Sequence, residues 1–254
     1  MGEVRCSNGD VLTCNTGQTG FATEASCTAP EAQCNPGEAS CFHLDIDARE
    51  ISRAEYEAFL DAVAQGAAPT LPQACAGHAD FAPVGLSDWP DVATSAGDRP
   101  ITHVDWCDAS AYCSWKGRRL WGRIGGGSVP AASFADPGDS QWMNTCSSGG
   151  QYSATYGDWD GAGHAGTCNT NTTAVAAVGS HAQCHSPVPG HADFLDLMGN
   201  VAEWEDACTS GGQCHARGGA FASNLVVAQL GCTADRLLDR TARAQDVGFR
   251  CCGP

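Results

Sequence analysis

The sequence predicts an irregular, loop-rich fold that is stabilised by disulfides. Three observations support this prediction: the 254 residues include 31 glycines and 12 prolines, they include 16 cysteines, and aliphatic residues are sparse. Glycine and proline favour turns and interrupt regular elements, so we expect little long helix. A chain of this length can form one large domain with a sizeable core, or one domain with an appendage.

The cysteines indicate an oxidising compartment. Their number is even, and none lies in a Cys-x-x-Cys pair that would suggest a zinc ribbon, haem attachment or thiol exchange. Cytosolic proteins rarely reach this density, so we expect up to eight disulfides and a secreted or cell-surface protein. The sequence shows neither a signal peptide nor an apolar run of about 18 residues, and we therefore expect no membrane span.

The charge balance excludes some partners and favours others. With 29 acidic residues against 13 basic ones, the formal net charge is -16. Such a surface repels phosphate backbones and anionic lipid, so nucleic-acid binding is not expected. A divalent cation such as calcium suits this composition.

The chain changes character near residue 42. Residues 1–41 carry five cysteines among small and polar residues and predict a Cys-rich appendage. Because five is odd, one of them is expected to pair elsewhere, for which Cys75 is available. The elements predicted after the appendage are a strand at 42–47, a helix capped by Ser52 and Glu55, a helix from Asp105 to Gly117 and a helical turn at 140–146.

The stretch from Asp193 to Glu205, D-F-L-D-L-M-G-N-V-A-E-W-E, mixes acidic and apolar residues around a Gly-Asn turn. This pattern predicts a buried loop, and a buried carboxylate without a partner is very costly. The acids therefore need a positive partner. Calcium is one candidate, and Arg217 and Arg250 are the others.

Five sequence blocks now carry a resemblance to a known family. They are F-H-L-D-I-D-A-R-E-I-S-R-A-E-Y-E-A-F-L, P-I-T-H-V-D-W-C-D-A-S-A-Y-C-S-W-K-G-R-R-L, L-M-G-N-V-A-E-W, R-G-G-A-F and V-G-F-R-C. In this order they resemble the formylglycine-generating enzyme (sulfatase-modifying factor) family over about residues 42–252. The Cys-rich style is similar to the secreted members common in myxobacteria. The prediction is an appendage at 1–41 and a formylglycine-generating-enzyme-like domain at 42–254.

The resemblance implies an α+β fold of the irregular C-type-lectin-like kind, with little regular secondary structure. It also implies two disulfides, Cys113–Cys251 and Cys146–Cys232. Three further pairs are suggested only by proximity in the sequence: Cys208–Cys214, Cys168–Cys184 and Cys107–Cys252.

The resemblance further implies a structural calcium site in the acidic stretch. Carried over position by position, the ligands are the side chains of Asp196 and Glu203 and the backbone carbonyls of Gly199 and Val201. Calcium takes six to eight oxygen ligands, and an acid-turn-acid loop with available carbonyls supplies several of them.

Catalytic residues of the family are missing from this chain. The copper-dependent oxidase uses two cysteines between the R-G-G-S block and its disulfide cysteine, since soft thiolates select Cu(I). The corresponding interval, 220–231, contains no cysteine: Ser223 lies near one of the lost positions, and Val226 or Val227 lies near the other. Copper is therefore not expected, and neither is formylglycine-generating activity.

Two functions remain open at this point. In the first, the chain is a non-catalytic, calcium-stabilised binding or structural module, with Ser223 and Asn224 on a surface for an unidentified protein, peptide or glycan. In the second, it is an oxidoreductase of the sulfatase-modifying family that acts on peptides with a displaced or different metal centre. His181, His185 and His191 cluster in the sequence; three imidazoles could hold Zn²⁺ or Fe²⁺, and the alternative is a solvated polar surface.

Overall fold

The structure is a computed structural model that describes residues 45–86, 89, 96–159 and 166–253, together with the backbone of five strands nearer the N-terminus. Those strands are β1 (Val4–Ser7), β2 (Asp10–Cys14), β3 (Phe21–Ser26), β4 (Ala32–Asn35) and β5 (Ser40–His43). β1, β2 and β3 form an antiparallel sheet, and β4 pairs with β5. The side chains of the appendage, including its cysteines, lie outside the described residues.

Two helices form where their capping residues predict them. α1 (Arg53–Ala64) and α2 (Trp106–Trp115) each begin with a complete capping box, Ser52 with Glu55 and Asp105 with Asp108. In each box the first side chain accepts a backbone N–H that the helix leaves unpaired, and the second returns the bond. α2 ends before Gly117, whose φ of +70° suits glycine.

The main core lies between these two helices. Tyr56 and Phe59 of α1 pack against each other and against Tyr112 of α2, and Phe249 near the C-terminus packs against Tyr56 and Tyr112; the ring centroids are 5.3 to 6.2 Å apart. All four rings are buried. Large aromatic side chains supply much of the apolar burial that a loop-rich chain needs.

A four-stranded sheet carries the acidic stretch. Its strands, in the order β10, β7, β8, β9, are β7 (Ala202–Cys208), β8 (Gln213–Arg217), β9 (Asp235–Asp239) and β10 (Val247–Gly248). The loop prediction for Asp193–Glu205 was therefore wrong for its last four residues, which lie in β7 and include Glu203 and Glu205. β7 pairs with β8 in antiparallel fashion, with Glu203 opposite Arg217.

The remaining elements are short. They are β6 (Arg119–Leu120), β11 (Cys251–Cys252), α3 (Gln141–Ser147) and α4 (Val227–Leu230). β6 pairs with β11 and so ties the end of α2 to the C-terminus. Among the residues that the structure describes, no helix has the length and apolar character needed to cross a bilayer.

The described part of the chain contains five disulfides. Two are the pairs that the resemblance implies, Cys113–Cys251 and Cys146–Cys232, and two are the local pairs Cys168–Cys184 and Cys208–Cys214. The fifth joins Cys75 to Cys107.

This fifth disulfide corrects two predictions. Cys75 is not the partner of an appendage cysteine, and Cys107 does not pair with Cys252, which is a buried free thiol. The reason is strand alternation: consecutive side chains of a strand point to opposite faces. Because Cys251 points towards α2 and bonds Cys113, Cys252 points away and contacts the side chain of Gln141 instead.

Candidate functional site

The centre of the site is the turn that precedes β7. Gly199 and Asn200 both have left-handed backbone angles, with φ of +81° and +51°, and Asp196 also has a positive φ of +56°. A Cβ at position 199 would lie 2.5 Å from the carbonyl oxygen of Asn169, so only glycine fits there. Asp and Asn are the non-glycine residues that adopt this conformation most readily.

Glu203 is paired with Arg250. The Arg250 Nε donates to both carboxylate oxygens, at 3.0 and 2.9 Å, and Nη2 donates to Oε1 at 2.7 Å. Both side chains are fully buried. The remaining guanidinium hydrogens bond backbone carbonyls, among them that of Leu195, so Arg250 also fixes the start of the acidic stretch.

Two other buried carboxylates share this site but lack a cation of their own. Asp196 accepts the backbone N–H of Gly179 through Oδ2 at 2.8 Å, and Glu50 accepts the Asn200 side-chain amide through Oε1 at 2.9 Å. The second oxygen of each, Asp196 Oδ1 and Glu50 Oε2, is buried and has no hydrogen-bond partner among the described residues. Buried carboxylate oxygens without a partner are rare and costly.

Burial raises the pKa of all three acids. The pKa of Glu50 lies well above its usual range, mainly through burial and then through the negative charge of Asp196. Burial also raises the pKa of Asp196 and of Glu203, although Arg250 opposes the shift in both. When all three acids are ionised, they carry three negative charges against one positive charge.

One of these features, the unpaired Asp196 Oδ1, would be explained by a bound divalent cation, and the calcium site stays a prediction. The turn and β7 supply the four predicted ligands, which are the side chains of Asp196 and Glu203 and the carbonyls of Gly199 and Val201. Asp196 Oδ1 is the buried oxygen that such an ion would satisfy. Glu203 already has the arginine partner that the sequence offered as the alternative to calcium. Sequence reasoning missed Glu50, since nothing in its local pattern connects it with a turn 150 positions later.

A second buried ion pair lies farther along β7. Glu205 accepts from Arg217 Nη1 at 3.4 Å and from the Ser140 hydroxyl at 3.3 Å. Arg217 also donates to the Cys232 carbonyl at 2.9 Å and stacks 3.6 Å from the ring centre of Phe134. Burial raises the pKa of Glu205 to about 7, while the charge of Arg217 opposes the shift. This pair joins β7 and β8 to α3 and is structural.

The interval 220–231 is a largely exposed loop that includes the short helix α4 and is held by hydrogen bonds within it. Ser223 Oγ accepts the backbone N–H of Ala220 at 2.9 Å, and Asn224 N–H donates to the Gln229 side chain at 2.9 Å. Val226 and Val227 are 46% and 41% exposed, which is unusual for large apolar side chains. The interval contains no charged residue. The loop therefore presents an uncharged, partly apolar surface on a strongly acidic protein.

The histidine cluster of the sequence does not assemble into a metal site. Among the described residues, the one group of three His, Cys, Asp or Glu ligand atoms within 4.8 Å of one another is His78, Asp105 and Asp108, so His181, His185 and His191 form no such group. The His78 group already has its partners: Asp105 and Asp108 form the capping box of α2, and Arg243 Nη2 lies 3.1 Å from both carboxylates.

The comparisons with known proteins agree with this architecture. A family model described as "Sulfatase-modifying factor enzyme 1-like domain" matches residues 3–253. The chain belongs to the sulfatase-modifying factor family. The matched range includes most of residues 1–41, and the appendage boundary stays a prediction.

Individual relatives of this sulfatase-modifying factor domain are distant. The formylglycine-generating enzyme of Bos taurus is 27% identical over 129 residues, which is 41% of this chain and 30% of that protein. Among solved structures, CarF has a TM-score of 0.53 at 19% identity, covering 82% of this chain and 85% of that one. Treponema denticola variable protein 1 has a TM-score of 0.52 at 18% identity, covering 85% of each chain. PvdO from Pseudomonas aeruginosa has a TM-score of 0.52 at 16% identity, covering 86% and 85%. These structures share the fold.

Proposed function

We propose that this chain is a secreted, calcium-stabilised member of the sulfatase-modifying factor family that acts as a non-catalytic binding or structural module. The observation that carries the proposal is the interval 220–231, which has no cysteine where the copper-dependent oxidase has two. Ser223, near one of those positions, uses its hydroxyl to accept a backbone N–H of its own loop. Hydroxyl and valine side chains do not replace thiolates as Cu(I) ligands.

Rigidity of the scaffold supports a binding role. Disulfide Cys146–Cys232 holds the end of the interval, and the backbone N–H groups of Asn171 and Thr172 donate to carbonyls within it, those of Ser223 and Phe221. A surface that is held in one conformation loses little entropy when it binds a ligand. The ligand surface proposed here contains Ser223 and Asn224 and extends to the exposed Val226 and Val227.

Calcium supports the same scaffold in this proposal. The ion would be held by the Asp196 and Glu203 side chains and by the Gly199 and Val201 carbonyls, and it would stiffen the turn that leads into β7. Its role is structural, because it would satisfy the buried Asp196 Oδ1, which has no hydrogen-bond partner among the described residues. Copper has no part in this function. The five described disulfides are consistent with an oxidising compartment.

An oxidase assay tests the non-catalytic part. The protein is titrated anaerobically with Cu(I), and oxygen consumption is measured with a cysteine-containing sulfatase peptide. We expect neither tight stoichiometric copper binding nor a formylglycine product. Either result, if obtained with the folded protein, would overturn the proposal and favour an oxidoreductase with a displaced metal centre.

A binding assay tests the ligand surface. Wild-type protein is applied to peptide and glycan arrays and compared with Val226→Asp, which places a charge in the centre of the uncharged loop. Leu237→Asp is the matched control, since Leu237 is a similarly exposed apolar residue on β9. We expect Val226→Asp to lose the ligands that the control retains. Equal retention by both variants would place binding on a different surface.

A further inference from the structure

We propose that His78 is a pH-sensitive latch, which fastens a surface segment to the start of α2 when its imidazole is protonated. Residues 73–84 form this segment, a strap that lies between α1 and α2 in the sequence. The latch involves neither the proposed calcium ligands nor the interval 220–231.

Side chains hold most of the strap in place. Its residues are largely exposed, and Cys75 and Phe81 are the two that are buried. Cys75 bonds Cys107 of α2, and the ring centre of Phe81 lies 5.4 Å from that of Phe59. His78 lies between these two anchors in the sequence, so its contacts determine how firmly the middle of the strap is held.

His78 faces two carboxylates and one guanidinium. Its Nε2 lies 2.7 Å from Asp108 Oδ1 and 3.9 Å from Asp105 Oδ1. Arg243 Nη2 lies 3.1 Å from the Oδ2 atom of each carboxylate, and its Nη1 donates to the Ala82 carbonyl of the strap at 2.6 Å. The other ionisable side chains close to this cluster are Tyr56 of α1, Asp80 of the strap and Arg240, which donates to the Ala74 carbonyl.

The charges of the cluster balance only when the imidazole is protonated. Asp105 and Asp108 are buried, and their two negative charges face the one positive charge of Arg243. A protonated His78 makes the cluster neutral, whereas a neutral imidazole leaves one negative charge in excess, which is costly for buried groups. Burial, and then the charge of Asp105, raises the pKa of Asp108 to about 6. The pair of His78 and Asp108 therefore keeps a proton close to neutral pH.

The direction of the pH effect follows from this balance. An imidazole changes its charge between about pH 5 and pH 8. Loss of the proton removes the attraction between the imidazolium and the carboxylates and leaves a weaker hydrogen bond. The folded cluster holds the proton more tightly than the unfolded chain does, so the strap is fastened in mild acid and loosens as pH rises towards about 8.

Three substitutions separate the charge of His78 from its place in the fold. His78→Gln keeps a side chain that can donate to Asp108 but carries no charge at any pH. His78→Lys carries a positive charge throughout this range. His215→Gln is the matched control, because the His215 side chain is 19% exposed, against 21% for His78, and also lies 2.7–2.8 Å from a carboxylate, that of Asp235, but in β8 and not in the strap.

The experiment is hydrogen exchange of the full chain at pH 5.5 and pH 8.0, read by mass spectrometry of peptides that cover the strap and corrected for the intrinsic effect of pH on exchange. The backbone N–H groups of His78, Ala82 and Val84 are hydrogen-bonded, so their exchange reports opening of the strap. Circular dichroism establishes that each variant is folded. Glu205, whose pKa burial raises to about 7, titrates in the same range, but it is common to all the variants.

We expect protection of the wild-type strap to fall at least about threefold from pH 5.5 to pH 8.0, and His215→Gln to show the same fall. His78→Gln should be as weakly protected at pH 5.5 as wild type is at pH 8.0, and His78→Lys should stay protected at pH 8.0. Equal protection of the wild-type strap at both pH values would overturn the latch. So would a pH dependence that persists in His78→Gln, because it would belong to another group.

Discussion

Loop length should decide how much each disulfide stabilises this protein. In the chain-entropy model, a cross-link between residues separated by 138 positions, as in Cys113–Cys251, contributes about 5 kcal/mol. The Cys146–Cys232 bond lies inside that loop and shortens the remaining path to about 52 residues. The double variant Cys113→Ala/Cys251→Ala should therefore lose about 4 kcal/mol.

Cys168–Cys184 is the matched control, since its sulfur atoms are buried as well but its cysteines are only 16 positions apart. The same model gives about 3 kcal/mol for that pair, and about 2 kcal/mol for Cys208–Cys214 with a separation of 6. At about 2–4 °C per kcal/mol for a chain of this size, the long-loop variant should melt about 8–16 °C lower than wild type.

The assay is thermal unfolding of wild type and the three double variants, followed by near-UV circular dichroism under non-reducing conditions. The expected order of loss is Cys113–Cys251 first, then Cys168–Cys184, then Cys208–Cys214. Equal losses in all three variants would refute the reasoning from loop length. A reversed order would show that native-state strain or residual structure in the unfolded chain outweighs loop closure.

Four further outcomes are expected. Chelation with EGTA should lower the melting temperature. Added Ca²⁺ should restore it and Mg²⁺ should not, because Mg²⁺ is smaller and demands stricter octahedral geometry. An unchanged melting temperature after chelation would contradict the calcium assignment. Arg250→Met should cost about 3–5 kcal/mol in urea unfolding in the presence of EGTA, since it removes the guanidinium partner of the buried Glu203. Burial raises the pKa of Glu205 from 4.5 to about 7, so between these pH values the folded protein binds more protons than the unfolded chain. The free energy of unfolding should therefore fall as pH rises through that range. Glu205→Gln should make this fall, measured between pH 5 and 7, less steep. Burial raises the pKa of Cys252 to about 11, so iodoacetamide at pH 8 should label it only after denaturation, as read by mass spectrometry of the C-terminal peptide.

Local signals predicted the helices well. The Ser52 and Glu55 pair and the position of Asp105 indicated where α1 and α2 begin, because a cap is formed by residues within one turn of each other. β7 was not predicted as a strand. Its Ala202–Glu205 segment is buried on both faces, so polar and apolar residues do not alternate along it. Its acidic residues are typical of a loop in the sequence, and only the structure shows that Arg250 and Arg217 pair with them.

Disulfides between cysteines far apart in the sequence could not be predicted from the local sequence pattern alone. The family blocks pointed to Cys113–Cys251 across 138 positions, whereas proximity alone gave the wrong partner for Cys107. The alternation of Cys251 and Cys252 in β11 decides that case, and it becomes visible only when the strand is paired with β6. Cysteine positions in the sequence do not show the face of a strand to which each side chain points, and this face decides which cysteines can bond.

By itself, the sequence determined the family, the disulfide-rich character, the helix starts and the acidic turn, because each of these depends on residue types at short spacing or on ordered motifs. Only the tertiary structure decided which charges meet. The Asn200 side-chain amide donates to Glu50 across 150 positions, and Arg250, close to the C-terminus, pairs with the Glu203 carboxylate. Burial strengthens the interactions between these charges, since the same charges at the surface would be solvated and would interact only weakly.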